Sequence, residues 1–338
     1  MTDIKEYIRR LPKAELHLHL EGTILPSTLV ELSLRHDAHP LTLAEAEKLY
    51  RFENFSEFME AFKAVTRLLI GPDDYELAAW RMMEHLAEQG VVHAEVFISV
   101  GVIYLWRHHD PAAFEPIFVA LERARERGER ELGISLLWIF DAVRHFSVEE
   151  AERVFLKAAE LRPAYPAIIG IGLGGDERRR GSKPFHALYQ EAARTGLRLT
   201  NHAGETTGPE AIWEALAIGS ERIGHALSAI HDPGLLQELK VRSTPMELNP
   251  TSNVRTGVCA SFAAHPLRRY FDQGLMVTLN SDDPAFFGSD LANEYLLAHT
   301  EQGFTHEELR QLASNSIRSS FLGKEQKSVW LSRIAVSE

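Results

Sequence analysis

The sequence predicts a (β/α)8 barrel with a helical insertion after its first strand. Three observations carry that expectation. Eight short apolar or alternating runs recur along the chain, helical stretches fill the gaps between them, and 338 residues suit one such barrel.

The runs lie at 15–20, 91–99, 134–140, 168–173, 197–202, 222–227, 243–248 and 275–280. Each has the length of a strand buried in a parallel sheet. The helical stretches carry start signals. Residues 147–161 open with Ser147 ahead of Glu150, a capping-box signature. Residues 208–218 place Pro209 in a first helical turn, and 232–240 take Asp232 as N-cap. A doubly wound open sheet is the competing architecture, but the chain lacks its Gly-rich phosphate loop.

Residues 24–90 form a long excursion after the first run. Within it, 54–70 repeats apolar residues at three- and four-residue spacing. In a barrel this segment would sit over the C-terminal mouth as a lid. No low-complexity tract or Gly/Ser linker divides the chain, so one domain over 1–338 is expected.

Composition narrows the function classes. The 36 basic and 48 acidic residues give a net charge of −12, which argues against a general nucleic-acid binder but not against a small nucleoside substrate. Cys259 is the single cysteine, so neither an intrachain disulfide nor a thiolate metal cluster is expected. The first ten residues lack the apolar stretch of a secretory signal, and no apolar run reaches the roughly 18 to 20 residues of a membrane span. A cytoplasmic protein with a small-molecule partner, and neither a nucleic-acid nor a membrane partner, is the expectation.

Chemistry concentrates at the ends of the runs. His17 and His19 are two apart in ELHLHL, so in a strand both imidazoles share one face while Leu16, Leu18 and Leu20 share the other. Such a pair suits a borderline metal such as zinc, and equally a simple hydrogen-bonded pair, so partners must come from elsewhere. His202 ends the fifth run, His225 lies in the sixth, and Asp282 and Asp283 follow the eighth. In a closed barrel these ends converge on one mouth. Three histidines and a carboxylate leave one coordination position for water, whose pKa a metal lowers to about 7. Glu205, three residues beyond His202, is placed to protonate a substrate atom or to cap the helix near Pro209. Asp282 and Asp283 ahead of Pro284 also read as a solvated turn.

Other features read as structural. The run at 176–180 (DERRR) fits a solvated loop. His108 and His109 fit the surface, and His36, His39, His265, His299 and His306 offer no ligand geometry. Cys259 carries no nucleophile signature.

With these residues assembled, the chain resembles the adenosine deaminase family of the amidohydrolase superfamily over nearly its whole length. The motifs, in order, are PKAELHLHLEGT (12–23), GLGGDE (172–177), HAGE (202–205), RIGH (222–225) and NSDDP (280–284). The resemblance implies one zinc ion per chain, held by His17, His19, His202 and Asp282. It implies that Glu205 delivers a proton to purine N1, and that His225 orients the attacking water and stabilises the developing negative oxygen. Asp283 would face N7 and the Gly175 backbone N3. The implied reaction is hydrolytic: hydroxide adds to C6, a tetrahedral intermediate forms and ammonia leaves. Asp282 thereby acts on transition-state charge as well as on the metal.

The sequence departs from the family pattern in three places. Glu21 stands where adenosine deaminases commonly place a ribose-side aspartate. Asn249, in ELNPTSN (247–253), replaces a usual cysteine, and Ala226 replaces a frequent glycine. The combination of GLGGDE (172–177), HAGETTGPE (202–210), PTSN (250–253) and NSDDPAFFGSDLANEY (280–295) is similar to the aminodeoxyfutalosine deaminases of menaquinone biosynthesis. Those enzymes act on an adenine nucleoside with a carboxyphenyl extension, which Arg178, Arg179, Arg180 or Arg255 are available to meet. The resemblance thus ranks 6-amino-6-deoxyfutalosine ahead of adenosine or 2'-deoxyadenosine, with adenine third. Two further classes compete: a dinuclear amide or phosphoester hydrolase, for which no bridging lysine is evident, and a non-catalytic barrel, for which the retained Glu205 and ligands are superfluous.

Overall fold

The computed structural model describes residues 3–52, 55–106 and 111–337. Eight strands form one parallel sheet in sequential order: β1 (Lys13–His19), β2 (Val91–Ile98), β3 (Ser135–Val143), β4 (Ile168–Gly174), β5 (Arg198–Ala203), β6 (Arg222–His225), β7 (Met246–Leu248) and β8 (Val277–Leu279). A parallel bridge between Leu18 and Asp282 closes the ring. There the Asp282 amide donates to the His17 carbonyl and the His19 amide to the Asp282 carbonyl, each at 3.0 Å. The (β/α)8 expectation therefore holds, and a strand lies within or across each of the eight runs.

Strand edges differ where local backbone intervenes. The run 243–248 yields strand only over Met246–Leu248, because Ser243 adopts a left-handed conformation (φ 52°) and ends the helix Pro233–Arg242. Leu275 likewise donates back to the Tyr270 carbonyl, closing the helix Leu267–Asp272 before β8 begins. β3 continues past its apolar run through Asp141 to Val143.

The helix starts follow side-chain chemistry. Ser147 Oγ accepts from the Glu150 amide at 3.1 Å to open Val148–Leu161. Asp232 accepts from the Gly234 and Leu235 amides to open Pro233–Arg242. Pro209 is the first residue of Pro209–Ala217.

The excursion after β1 folds into helices Pro26–His36, Leu43–Leu49, Phe55–Thr66 and Pro72–Glu88. The helix Phe55–Thr66 lays Phe58 and Phe62 against Phe286 and Phe287, just after β8, with ring centroids 5.3–5.6 Å apart. That aromatic contact holds the insertion over the C-terminal mouth of the barrel. Asn54, the start of the predicted helical segment, lies outside the described residues, as do His108 and His109. Among the described residues no helix is long and apolar enough to cross a membrane.

One polar layer lies inside the barrel. Arg222, 1% exposed, pairs with Glu95 and with Glu247 (2.6 Å), tying β2, β6 and β7 together beneath the mouth. This layer stands directly under the site.

Candidate metal and active centre

Period-two geometry in β1 points His17 and His19 inward. His17, His19, His202 and Asp282 each present a donor atom within 4.8 Å of every other. His19 Nε2 lies 3.1 Å from His202 Nε2 and 3.4 Å from Asp282 Oδ1, which is 3.5 Å from His17 Nε2. Bonds of about 2.0–2.1 Å in a tetrahedral zinc site put donors about 3.3 Å apart, so these spacings match the edges of such a site. Three imidazoles with one carboxylate also form a borderline donor set. The residues fit one divalent metal ion.

Neighbours hold the donors in place. Glu247 Oε2 sits 2.8 Å from His17 Nδ1, and Ser252 Oγ donates to Asp282 Oδ2 at 2.6 Å. Gly224 opens the space: a Cβ there would lie 2.6 Å from His17 Cε1. Burial would depress the His17 pKa, but hydrogen bonds with Asp282 and Glu247 outweigh it and raise the value to about 10. Burial lowers His19 to about 4 and His202 well below its ordinary value. Burial works against an ionised Asp282, yet the hydrogen bond from His17 and the surrounding histidines keep its carboxyl below the usual range.

Glu205 follows β5 in a loop that Glu177 organises. The Glu177 carboxylate accepts from the Gly204 amide (3.0 Å), the Glu205 amide (3.1 Å) and the Thr207 hydroxyl. Gly204 is required by its φ of 73° and by Ile212, 2.5 Å from where a Cβ would stand. The helix cap belongs to Gly208, so the Glu205 side chain is not used there. Burial, reinforced by Asp282 and Glu177, raises the Glu205 pKa to about 8 and keeps its carboxyl protonated at neutral pH. Its Oε2 lies 3.8 Å from His225 Nε2, which is 4.0 Å from Asp282 Oδ2.

Asp283 lies beside Gly22, whose absent Cβ would fall 2.0 Å from Asp283 Oδ1. That oxygen is buried without a partner, and burial with the charges of Asp282 and Glu21 pushes the Asp283 pKa well up. Gly175, at φ 86°, lines the same cavity. Glu21 stands behind the wall: its carboxylate accepts from the amide (3.1 Å) and hydroxyl (3.3 Å) of Ser99, and Ser99 faces the cavity.

His19, His202, Glu205, His225, Asp282 and Asp283 line a cavity of ≈ 230 Å³ roofed by Phe58, Phe62, Trp106, Phe146 and Phe287. Among the described residues on its wall, Lys63 is the one lysine or arginine. The arginines singled out from sequence lie elsewhere. Arg178 borders an adjoining open groove of ≈ 980 Å³ that meets the cavity at Glu205. Arg179 pairs with Asp176 at 3.5 Å on the surface, and Arg255 lies 5.6 Å from the Phe52 ring. Cys259 is buried against the Ser261 carbonyl. Sequence reasoning missed Glu177, Glu247, Ser252 and Asn253; a glutamate flanked by apolar residues in MEL was the available signal for Glu247.

The chain matches the family model "Adenosine deaminase" over residues 12–337. It is 38% identical over 323 residues to an aminodeoxyfutalosine deaminase of Streptomyces avermitilis, covering 95% of this chain and 89% of that one. It is 34% identical over 332 residues to an adenine deaminase of Acinetobacter baylyi, covering 97% and 98%. Among solved structures, an adenine deaminase from Arthrobacter aurescens superposes with a TM-score of 0.88 at 32% identity, covering 96% and 98%. Together with the donor cluster, these matches establish an intact metal-binding amidohydrolase site consistent with purine-deaminase chemistry, and not a degenerate barrel.

Proposed function

The chain belongs to the adenosine deaminase family, and from that premise we propose that it hydrolytically removes the C6 amino group of a purine nucleoside, with 6-amino-6-deoxyfutalosine as the favoured substrate. The observation that carries the reaction is the buried Glu205 carboxyl, 3.8 Å from His225 and on the wall of the same cavity as His19, His202 and Asp282.

In this reading His17, His19, His202 and Asp282 hold one zinc ion per chain. When bound, the metal supplies Lewis acidity that makes a water nucleophilic near neutral pH. Glu205 holds a proton at its carboxyl and passes it to purine N1, which draws electrons from C6 as the new C–O bond forms. His225 Nε2 orients the water and stabilises the negative oxygen. Asp283 faces N7, and the Gly175 backbone faces N3. Glu21 acts on the ribose side through Ser99. Glu205 regains its proton from the water, the remaining water proton passes from the C6 hydroxyl to the amino group, ammonia departs, and the 6-oxo purine remains.

Two observations favour the extended nucleoside. The roof is aromatic, which suits an aryl substituent, and Lys63, paired with Glu60 at 2.8 Å, stands on it where it could exchange that partner for a substrate carboxylate. The S. avermitilis enzyme and a Streptomyces coelicolor aminodeoxyfutalosine deaminase, at 38% and 37% identity, support the same choice. Free adenine is the second reading, favoured by adenine deaminases at 32–35% identity; adenosine and 2'-deoxyadenosine stand beside it. An absorbance assay of aminodeoxyfutalosine, adenosine, adenine and guanine decides, because loss of the 6-amino group changes the purine chromophore. Highest kcat/KM on aminodeoxyfutalosine is expected; no turnover of any 6-aminopurine overturns the proposal. Metal analysis is expected to give one zinc per chain, and two or none would defeat the mononuclear site.

A further inference from the structure

We propose that His265, acting through Asn253, sets the tautomer of His225 so that its proton sits on Nε2, facing the cavity. The inference rests on the role given to His225 above and assigns His265 as a positioning residue, since it lies outside the cavity wall.

A backbone amide can only donate. Leu267 N–H, at the first turn of Leu267–Asp272, has no intrahelical acceptor and donates to His265 Nδ1 at 3.2 Å. That nitrogen therefore carries a lone pair. Burial pushes the His265 pKa down to about 3, so the ring is neutral and its one proton is on Nε2. His265 Nε2 lies 3.2 Å from Asn253 Oδ1 and donates to it, which fixes the orientation of the amide. Asn253 Nδ2 then faces His225 Nδ1 at 3.1 Å with only hydrogens to offer. His225 Nδ1 must accept.

A second amide reaches the same result from an independent anchor. Asn249 Nδ2 lies 3.2 Å from His225 Nδ1 and 3.4 Å from the Glu247 carbonyl, which can only accept. A backbone donor at Leu267 and a backbone acceptor at Glu247 thus impose one polarity on His225. Its proton is placed on Nε2, the atom 3.8 Å from Glu205 and 4.0 Å from Asp282. No lone pair remains on the cavity side. His225 therefore serves the reaction as a hydrogen-bond donor and not as a base.

The test is a long-range 1H–15N spectrum of the metal-loaded, 15N-histidine-labelled protein, with the His225 signal identified by its loss in His225→Gln. A pyridine-type Nδ1 and pyrrole-type Nε2 are expected. In Asn253→Asp the carboxylate accepts from both rings, so His225 should turn to a pyrrole-type Nδ1 and kcat should fall about 100-fold or more, with KM little changed. If that variant does not fold, His265 decides. With the second anchor also removed by Asn249→Ala, His265→Phe frees the Asn253 amide and should give a mixed Nδ1 signal with kcat down about tenfold. His265→Gln keeps an N–H for Asn253 Oδ1 and should restore the single tautomer. A pyrrole-type Nδ1 in the unmodified protein overturns the inference, as does a His225 signal that neither the Asn253 nor the His265 substitution moves. The spectra need no substrate, so inactivity toward every purine would defeat the functional reading while leaving the tautomer result standing.

Discussion

Metal binding to this site is predicted to displace a proton from one particular ligand. A histidine must be neutral at the coordinating nitrogen, and a carboxylate ionised, before either can bind metal. Near pH 7 three of the four donors already meet that condition: His19 and His202 are held neutral by burial, and Asp282 is held ionised by its histidine neighbours. His17 does not. Its Nδ1 faces Glu247 at 2.8 Å and its Nε2 faces Asp282 at 3.5 Å, and these two anions raise its pKa to about 10. Its proton competes with the metal below that pH, so binding tightens as pH rises. From this ligand alone the apparent Kd should fall about tenfold, or about 1.4 kcal/mol, per unit between roughly pH 7 and 9.

The Glu247→Gln substitution separates this proton from other effects. It removes one of the two anions that keep His17 charged, so the pH dependence should level off at lower pH. It also removes the carboxylate behind the ligand, so affinity at the alkaline plateau should drop about 10- to 100-fold. Chelator competition across pH 6–9 measures the slope, and calorimetry in buffers of different ionisation enthalpy counts the protons. At least one proton per metal is expected at pH 7.5. A slope near zero, or release of under about half a proton, would refute the assignment of the charge to His17.

Glu205→Gln is expected to keep its metal but lose about 10²- to 10⁴-fold in kcat, as steady-state rates beside metal content will show; unchanged turnover removes Glu205 from proton transfer. Arg222→Met leaves Glu95 and Glu247 buried without their cation and should destabilise the fold by about 3–5 kcal/mol in urea titrations. A loss under about 1 kcal/mol would mean that the polar layer contributes little. Gly22→Ala drives a Cβ into Asp283, 2.0 Å from Oδ1 and 2.6 Å from Cα, so stability should drop by about 1–3 kcal/mol and kcat/KM with it. Unaltered melting and kinetics would show that the Asp283 turn yields freely.

What could be read from the chain was what local physics decides. Apolar runs located all eight strands, and Ser147 and Asp232 announced their helices through the oxygens that cap them. The spacing of His17 and His19 was legible because a strand repeats every two residues. Glu247 was not, because a three-residue strand offers no alternation to count. Glu177 was hidden within an acidic and basic run whose Arg178 and Arg179 do lie toward solvent, while its own carboxylate turns inward under the 204–207 loop. His265 gave no ligand geometry in the sequence and is no ligand in the fold; its contact with Asn253 exists only once 249–267 has folded. Lys63 escaped notice for a related reason. Its place on the cavity wall depends on the aromatic contacts that dock the insertion.

The backbone at the site explains why its precision is invisible in one dimension. His225 and Asp282 both hold left-handed conformations, at φ 62° and 65°, where a side chain costs roughly 1–2 kcal/mol relative to glycine. Glycine at either position would remove a side chain to which the proposed reaction assigns a role. The barrel therefore restrains the strain with hydrogen bonds on either side. Asp282 is clamped between the His17 carbonyl and the His19 amide, and the amide after His225 donates to the Ala203 and Gly224 carbonyls. The same bonds that close β8 onto β1 thus turn the Asp282 carboxylate toward the histidines of β1. Closing the barrel and assembling the donor cluster are one structural event, so a substitution that loosens the Leu18–Asp282 bridge removes metal affinity and stability together.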